Sequence, residues 1–301
     1  MSERFRCALT SDHRGDDLAG TASPVRADLL SEWSGAWGVE ALRDSRLPED
    51  AKRVLRGARR FGVRVNLVRR HRAPARQEGM RVLAAYADPE RPWLESTELA
   101  SPEQVAELDL AALGTGRSPG LTPVAEPVFA VCTHGRHDAC CAELGRPLAA
   151  ALSTAQPDVT WEVSHIGGDR FAGNLLVLPH GLYYGRVDPP AAVAIAAGHR
   201  SGHLDLDHLR GRSSYPMPVQ AAEIALRRQL GETRLDAIRP VERRRDGDRW
   251  RARFEVGAEL WEVDVLTTLD DTDRHRLTCL AVRADPIPRH RVLAVRRFSD
   301  A

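Results

Sequence analysis

Apolar side chains in the first part of the chain recur with two different periods. Residues 48–61 carry them at helical spacing, and Gly62 follows as a helix stop. Residues 63–68 and 80–86 are short runs rich in apolar residues, which predicts two strands. Ser101 is followed by proline and, three positions on, by glutamine, a pattern that predicts the start of a capped helix.

The middle of the chain repeats this kind of pattern. Both parts are predicted as strand, helix, strand, strand and helix, which is the order of elements in a thioredoxin-like unit. Leu144 and Leu148 are predicted to face the core from one helix. We therefore expect an α/β (α+β) fold of tandem thioredoxin-like units, with mixed sheets flanked by helices. The predicted strands are 127–131, 159–163, 174–178 and 182–187, and the predicted helices are 143–152 and 188–197.

The C-terminal part has a different pattern. Residues 219–230 form an amphipathic segment that ends at Gly231, and we predict a helix there. The segments that follow alternate apolar and polar residues, which fits both a third small unit and a β extension of the second unit. The predicted strands are 250–256, 260–266 and 277–282.

One segment rich in glycine, serine and proline divides the chain. It covers residues 114–123 and lacks apolar periodicity, so we interpret it as a linker. The predicted organisation is an N-terminal thioredoxin-like unit at 1–113, a linker at 114–125, a second thioredoxin-like unit at 126–213 and a small C-terminal α+β extension, a helix plus strands, at 214–301.

Composition excludes several classes of protein. The 301 residues include 43 basic and 42 acidic side chains, and a net charge of +1 gives no reason to expect nucleic-acid binding. No apolar run reaches the roughly 18 residues of a membrane span, and the first residues lack the apolar core of a secretion signal. Five cysteines, an odd and sparse set, favour a reducing compartment. We therefore expect a cytoplasmic protein with no nucleic-acid or membrane partner.

Three of the five cysteines lie close together in sequence, which is the first indication of chemistry. Cys132 follows a predicted strand and Cys141 enters a predicted helix, where helix amides favour a thiolate that can bind a soft metal ion. Taken alone, the pattern also fits small buried hydrophobic side chains. Cys140 is interpreted as a bystander, although a shift of one position would make it the ligand. Cys7 and Cys279 are interpreted as buried packing residues.

A second polar loop begins where the strand at 159–163 ends. His165 and Asp169 are four positions apart with Gly167 and Gly168 between them, so a tight turn can bring both side chains to one point. The glycines also let backbone amides approach an inorganic group closely. Because both loops leave the same edge of a thioredoxin-like sheet, we expect two thiolates, an imidazole and a carboxylate to converge.

These motifs carry a family resemblance. The pattern Cys-x8-Cys, the sequence His-Ile-Gly-Gly-x-x-Phe-Ala-Gly-Asn and the sequence Leu-Pro-His-Gly-Leu-Tyr-Tyr-Gly-Arg resemble the sucrase/ferredoxin-like family over roughly residues 5 to 215. The resemblance implies a thioredoxin-like ferredoxin with a [2Fe–2S] cluster bound by two cysteines and two histidines. Carried over by position, Cys132 and Cys141 would bind one iron and His165 the other, which makes 126–213 the ferredoxin unit and leaves 1–113 without cluster ligands.

The chain departs from this pattern at one ligand. Members with two histidine ligands have the second one four residues after the first, where this chain has Asp169. Asp169 could bind iron through oxygen, one of His134, His137 and His180 could substitute, or the cluster could be labile or absent. We favour Asp169, because the glycine loop that delivers this position is intact.

Electron transfer, rather than catalysis of substrate turnover, is the function that the resemblance implies. We then expect a redox partner such as a flavin-dependent reductase. The same cysteine, histidine and aspartate set could instead hold zinc, or stay empty, in a structural protein without redox activity. A third alternative is a thiol-dependent redox enzyme that pairs Cys132 with His134 or His137.

Overall fold

Ten strands form one mixed sheet in a computed structural model that describes residues 4–72 and 79–298. The strands are β1 (Ala27–Glu32), β2 (Val63–Arg69), β3 (Met80–Tyr86), β4 (Trp93–Leu99), β5 (Thr122–Pro123), β6 (Val128–Cys132), β7 (Thr160–Val163), β8 (Leu175–Leu178), β9 (Leu182–Tyr184) and β10 (Leu209–Arg212). Their order across the sheet is β10-β9-β8-β6-β7-β2-β1-β3-β4-β5.

Helices cover the sheet and join its strands. Short 3-10 helices at Ala58–Phe61, Pro102–Glu107 and Asp169–Phe171 supplement the α-helices. The α-helices are α1 (Cys7–His13), α2 (Ala41–Asp44), α3 (Glu49–Gly57), α4 (Leu110–Gly114), α5 (Ala139–Ala155), α6 (Pro189–Arg200) and α7 (Met217–Leu230).

The two halves of the sheet have the same internal order. In the first half β1 and β2 are parallel, β1 pairs antiparallel with β3, and β3 pairs antiparallel with β4. In the second half β6 and β7 are parallel, β6 pairs antiparallel with β8, and β8 pairs antiparallel with β9. The predicted fold class, a mixed sheet flanked by helices, is confirmed.

The halves share one continuous sheet through an antiparallel contact between β2 and β7. Val68 lies opposite Val163, and Arg69 lies opposite Glu162. Beyond this pair, the Asn66 Nδ2 donates hydrogen bonds to Ser164 Oγ and to the His165 carbonyl, at 3.1 and 2.9 Å. The first half of the chain therefore supports the loop that carries His165.

A four-stranded antiparallel sheet forms the C-terminal part. α7 packs on it, and Leu226, Phe254 and Val263 are buried in the shared core. Its strands are β11 (Ile238–Asp246), β12 (Arg249–Val256), β13 (Glu259–Thr268) and β16 (Arg289–Phe298), in the order β11-β12-β13-β16. A separate two-stranded ribbon, β14 (Arg274–His275) and β15 (Asp285–Pro286), precedes β16 in the chain.

Some predicted elements differ from the structure. The predicted strand at 277–282 is wrong, because these residues form a loop in which Leu280 is 62% exposed and Val282 is 97% exposed. Leu144 does not face the core and is 40% exposed, on the outer side of α5. The helix predicted to end at 197 continues through Gly198 to Arg200. The capping box at Ser101 forms, but the helix it begins is a 3-10 helix.

No helix within residues 4–72 and 79–298 is long and apolar enough to cross a bilayer.

Candidate metal centre

The parallel strands β6 and β7 deliver the two predicted loops to one edge of the sheet. Cys132 is the last residue of β6 and lies opposite Val163, the last residue of β7. His165 follows Val163 by two positions. The ends of parallel strands lie at the same edge, so the cysteine loop and the histidine loop meet, as the sequence predicts.

Helix α5 holds Cys141 beside Cys132. Asp138 caps the helix, since its Oδ1 accepts a hydrogen bond from the Cys140 amide at 2.9 Å. One turn further on, Gly145 lies directly against the Cys132 carbonyl, where a β-carbon would overlap the backbone. This close approach places the Cys141 thiol near the Cys132 thiol, where each influences the pKa of the other.

The glycine loop is shaped by a buried arginine. Gly168 adopts a φ of +79°, and a β-carbon there would overlap the Arg210 guanidinium. Arg210 donates to the Gly167 carbonyl at 3.1 Å and to Asn174 Oδ1 at 2.7 Å, while Asn174 Nδ2 donates to the Gly168 carbonyl at 2.9 Å. Gly168 is therefore required by the backbone conformation and by the packing of Arg210.

Asp169 is the point at which the two loops touch. Its Oδ1 lies 3.3 Å from Cys141 Sγ and 2.9 Å from His165 Nδ1, and its Oδ2 lies 3.5 Å from His137 Nε2. The Asp169 side chain is only 2% exposed, whereas those of His165 and His137 are 32% and 23% exposed. The site has a buried sulfur end and an imidazole end that reaches solvent.

Charge within the site is coupled between Asp169 and His165. Burial favours the neutral carboxyl, but the hydrogen bond and charge of His165 outweigh it and hold the pKa of Asp169 below its ordinary value. Burial similarly opposes the charged imidazole, and the Asp169 contact outweighs it and raises the pKa of His165. The two groups therefore stabilise each other as an ion pair.

The two thiols of the cysteine pair shift each other's pKa in opposite directions. A hydrogen bond from Cys141, together with the amide of His134, lowers the pKa of Cys132 although burial opposes this shift. The same hydrogen bond and burial raise the pKa of the Cys141 thiol. Of the two thiols, Cys132 is therefore the more easily ionised.

The three histidines considered as substitute ligands have different environments. His180 lies beyond Leu178, which is opposite Val128 at the start of β6, so it is at the far edge of the sheet from Cys132. Its ring contacts that of His199 at 4.9 Å. His180 therefore cannot contribute to the site.

His134 and His137 both lie next to the site, but only one has a nitrogen available to it. His134 accepts the His165 amide at Nδ1, at 3.2 Å, and donates from Nε2 to the Gly38 carbonyl at 2.9 Å. His137 Nδ1 lies 3.3 Å from the Val39 carbonyl, which leaves Nε2 facing Asp169. The His137 and His165 rings are 3.9 Å apart. A histidine that donates one ring nitrogen to a carbonyl is oriented to bind a metal through the other.

The profile of the sucrase/ferredoxin-like family matches residues 20–211, which is more than half of the chain and includes both loops. The chain belongs to the sucrase/ferredoxin-like family. No curated protein and no solved structure matches it.

This sucrase/ferredoxin-like protein also has a second group of cysteines, which sequence reasoning treated as unrelated. Cys7, Cys140 and Cys279 meet beside Asp138, at the N-terminus of α5. A hydrogen bond from Cys7 lowers the pKa of Cys140 to about 6, although burial opposes the shift. The only signal in the sequence was the adjacent pair Cys140 and Cys141, whose side chains leave a helix in different directions.

Proposed function

We propose that this protein carries single electrons on a [2Fe–2S] cluster bound between the two loops. Cys132 and Cys141 bind one iron, and His165 and Asp169 bind the other. The observation that carries the proposal is the position of Asp169, whose Oδ1 contacts both Cys141 Sγ and His165 Nδ1 at 3.3 and 2.9 Å. A single carboxylate thus links the sulfur ligands to the imidazole ligand.

The chemistry of these donors fits an iron–sulfur centre. Thiolates are the usual ligands of such clusters, and imidazoles replace them on one iron in Rieske centres. Asp169 Oδ2 is buried and accepts no hydrogen bond from the described residues, which leaves an anionic oxygen available to a metal. The family assignment supports the same kind of site.

The surrounding residues orient the ligands. A [2Fe–2S] cluster supplies reversible one-electron transfer when it is bound. Arg210 and Asn174 fix the glycine loop, and His134 binds the backbone amide of His165. Cys132 and Cys141 are almost fully buried, so water is excluded from the sulfur end, while His165 lies at the solvent-facing end where a partner can approach.

The proposal includes a cytoplasmic location and a flavin-dependent reductase as the redox partner. All five cysteines lie in the described part of the chain and none forms a disulfide, which supports a reducing compartment. The partner is expected to dock at the face that exposes His165 and His137, since electron transfer requires a short distance to the cluster.

His137 is a second candidate for the fourth ligand. Its Nε2 faces Asp169 at 3.5 Å, and its Nδ1 lies near the Val39 carbonyl, the arrangement of a metal-bound histidine. Counting the nitrogen ligands by pulsed EPR distinguishes the two. One coordinated imidazole is expected when Asp169 is the ligand, and two are expected when His137 takes its place.

The competing function is a structural protein with a mononuclear zinc ion. The predicted zinc ligands are Cys132, Cys141, His165 and Asp169. Ligand atoms of two of them, His165 and Asp169, lie within 4.8 Å of one another and of His137, a separation that suits ligands of one ion. In that case the protein should bind zinc and no iron, and the zinc should be lost when His165 is replaced.

Metal analysis of protein purified without oxygen tests the proposal. We expect two irons and two sulfides per chain, with visible charge-transfer bands that disappear in Cys141→Ser. The control is His13→Ala, an exposed histidine outside the site that should retain all iron. A colourless protein whose zinc is lost in His165→Ala would establish the zinc site instead.

A further inference from the structure

Three cysteines from distant parts of the chain meet on the other side of the α5 N-terminus. Cys7 begins α1, Cys140 lies in the first turn of α5, and Cys279 lies in the loop 276–284 between β14 and β15. Cys279 Sγ is 3.4 Å from Cys140 Sγ and 3.6 Å from Cys7 Sγ. Cys7 and Cys140 are 1% and 2% exposed, and Cys279 is half-buried.

A carboxylate completes the group. Asp138 is fully buried, and its Oδ2 and Oδ1 lie 3.4 and 3.6 Å from Cys7 Sγ. The amide of Cys140 donates to Oδ1 at 2.9 Å and the amide of Cys279 donates to Oδ2 at 2.6 Å. Backbone amides that hold a carboxylate in this way are a common outer shell of a metal site.

We propose that Cys7, Cys140, Cys279 and Asp138 bind one zinc ion, separate from the centre at Cys132 and Cys141. Two thiolates on one tetrahedral zinc lie about 3.8 Å apart, and a thiolate and a carboxylate oxygen lie about 3.5 Å apart. The observed separations, 3.4 and 3.6 Å between sulfurs and 3.4 Å from Cys7 Sγ to Asp138 Oδ2, are close to these values.

Ligand type and local charge both favour zinc. Three thiolates with one carboxylate form a soft donor set, which binds zinc in preference to magnesium or calcium. The bound site carries excess negative charge, and two arginines lie near it, each of which also pairs with a carboxylate, Arg6 with Glu143 and Arg170 with Asp16. Arg6 interacts electrostatically with Cys140 and Cys279, and Arg170 interacts with Cys7.

The ion would have a structural role. Cys7 and Cys279 are 272 positions apart, so binding fastens the C-terminal loop to the first helix. This loop buries little apolar surface, since Leu280 and Val282 are exposed. The contacts of Cys279 are thus a main attachment of the loop to the rest of the protein, and metal binding would strengthen them.

Metal content of single variants tests the zinc site separately from the iron site. Wild-type protein purified under reducing conditions should hold one zinc per chain after treatment with a weak chelator. Cys279→Ser and Cys7→Ser should each lose most of this zinc and keep their iron, whereas Cys132→Ser should lose iron and keep zinc. Cobalt added to the zinc-depleted wild type should show thiolate-to-metal charge transfer, and this absorption should be absent in Cys279→Ser.

Several results would overturn the zinc site. One is reduced wild-type protein that holds no zinc and binds no cobalt. Another is iron lost from Cys279→Ser, which would place these thiols in the cluster. A third is a disulfide between Cys140 and Cys279 in protein purified without oxygen, detected by mass spectrometry. Cys279 lies in a loop and is half-buried, so its replacement by serine should leave a folded protein even if Cys7→Ser does not fold.

Discussion

Cys140 and Cys141 are adjacent in the chain, yet their thiols belong to different groups. Cys140 Sγ lies 3.4 Å from Cys279 Sγ, and Cys141 Sγ lies 3.3 Å from Asp169 Oδ1. Consecutive side chains on a helix diverge by about 100°. The first turn of α5 therefore directs the two thiols of this Cys-Cys pair into two separate groups of side chains.

Serine substitution of Cys140 and Cys141, one at a time, should show which of the two thiols the iron depends on. Cys141→Ser removes a proposed iron ligand and should lower the iron content to a small fraction of wild type. Cys140→Ser should leave iron unchanged, because its thiol faces Cys7 and Cys279. Each variant is the matched control of the other, and iron per chain is the measurement. Equal iron loss in both variants would contradict the assignment of Cys141.

Gly168→Ala should lower the unfolding free energy by more than the strain of a positive φ alone would. Gly257 is a matched control, because it also has positive φ, +60°, but has no atom within 4 Å of an added β-carbon. Gly257→Ala should cost about 1 kcal/mol of unfolding free energy. Gly168→Ala should cost at least about 2 kcal/mol more, since the β-carbon overlaps Arg210. Urea unfolding measures the loss of stability in both variants. Equal losses would show that the contact with Arg210 does not contribute to the effect of Gly168→Ala.

The sequence predicted the main site from local patterns. The strand that ends at Cys132 is apolar, and the one that ends at Val163 alternates apolar and polar residues. A polar loop follows each strand, so their shared edge could be predicted. β1 was not predicted, because this fully buried strand contains Asp28, Ser31 and Glu32 and shows neither an apolar run nor alternation.

Long-range contacts account for most of what the sequence did not reveal. β1 lies in the interior of the sheet, between β2 and β3, and all six of its residues are buried, which its local sequence does not indicate. The meeting of Cys7 and Cys279 depends in the same way on how the C-terminal loop packs against α1. The strand predicted at 277–282 failed for a related reason, because alternation in a short segment does not guarantee a neighbouring strand.

Asp169→His should raise the midpoint potential of the iron-containing protein. Under the proposed ligation, the substitution replaces an anionic ligand with a neutral one, and a less negative ligand set stabilises the reduced, more negative state. Redox titration followed by visible absorption measures the potential. A wild-type potential equal to or above that of the variant would exclude Asp169 as a ligand.

His165→Cys should abolish most of the pH dependence of the potential near neutral pH. His165 Nδ1 faces Asp169, so the other ring nitrogen is free to take up a proton on reduction. The wild-type potential should then fall as pH rises, with a slope approaching about 59 mV per pH unit. His13→Ala, at an exposed position outside the site, should retain the wild-type slope. An unchanged slope in His165→Cys would assign the proton to another group.

The buried carboxyl of Asp28 should make the stability of the fold depend on pH. Desolvation raises the pKa of Asp28 to about 6, with Arg64 opposing the shift, and neither carboxyl oxygen accepts a hydrogen bond from the described residues. A raised pKa means that the folded state binds the proton more tightly than the unfolded state. The contribution of Asp28 to stability is therefore fully present below about pH 4 and is lost as pH rises through about 6.

Asp28→Asn should remove this dependence. Between pH 4 and pH 7 the wild type should lose about 3 kcal/mol of unfolding free energy relative to the variant, because the pKa of Asp28 is shifted by about two units. Urea unfolding of both proteins at each pH measures the difference, and effects common to both cancel. Asp236→Asn, at an exposed position, is the control and should follow the wild type. Parallel stability curves for wild type and Asp28→Asn would show that Asp28 is ionised in the folded protein at little cost.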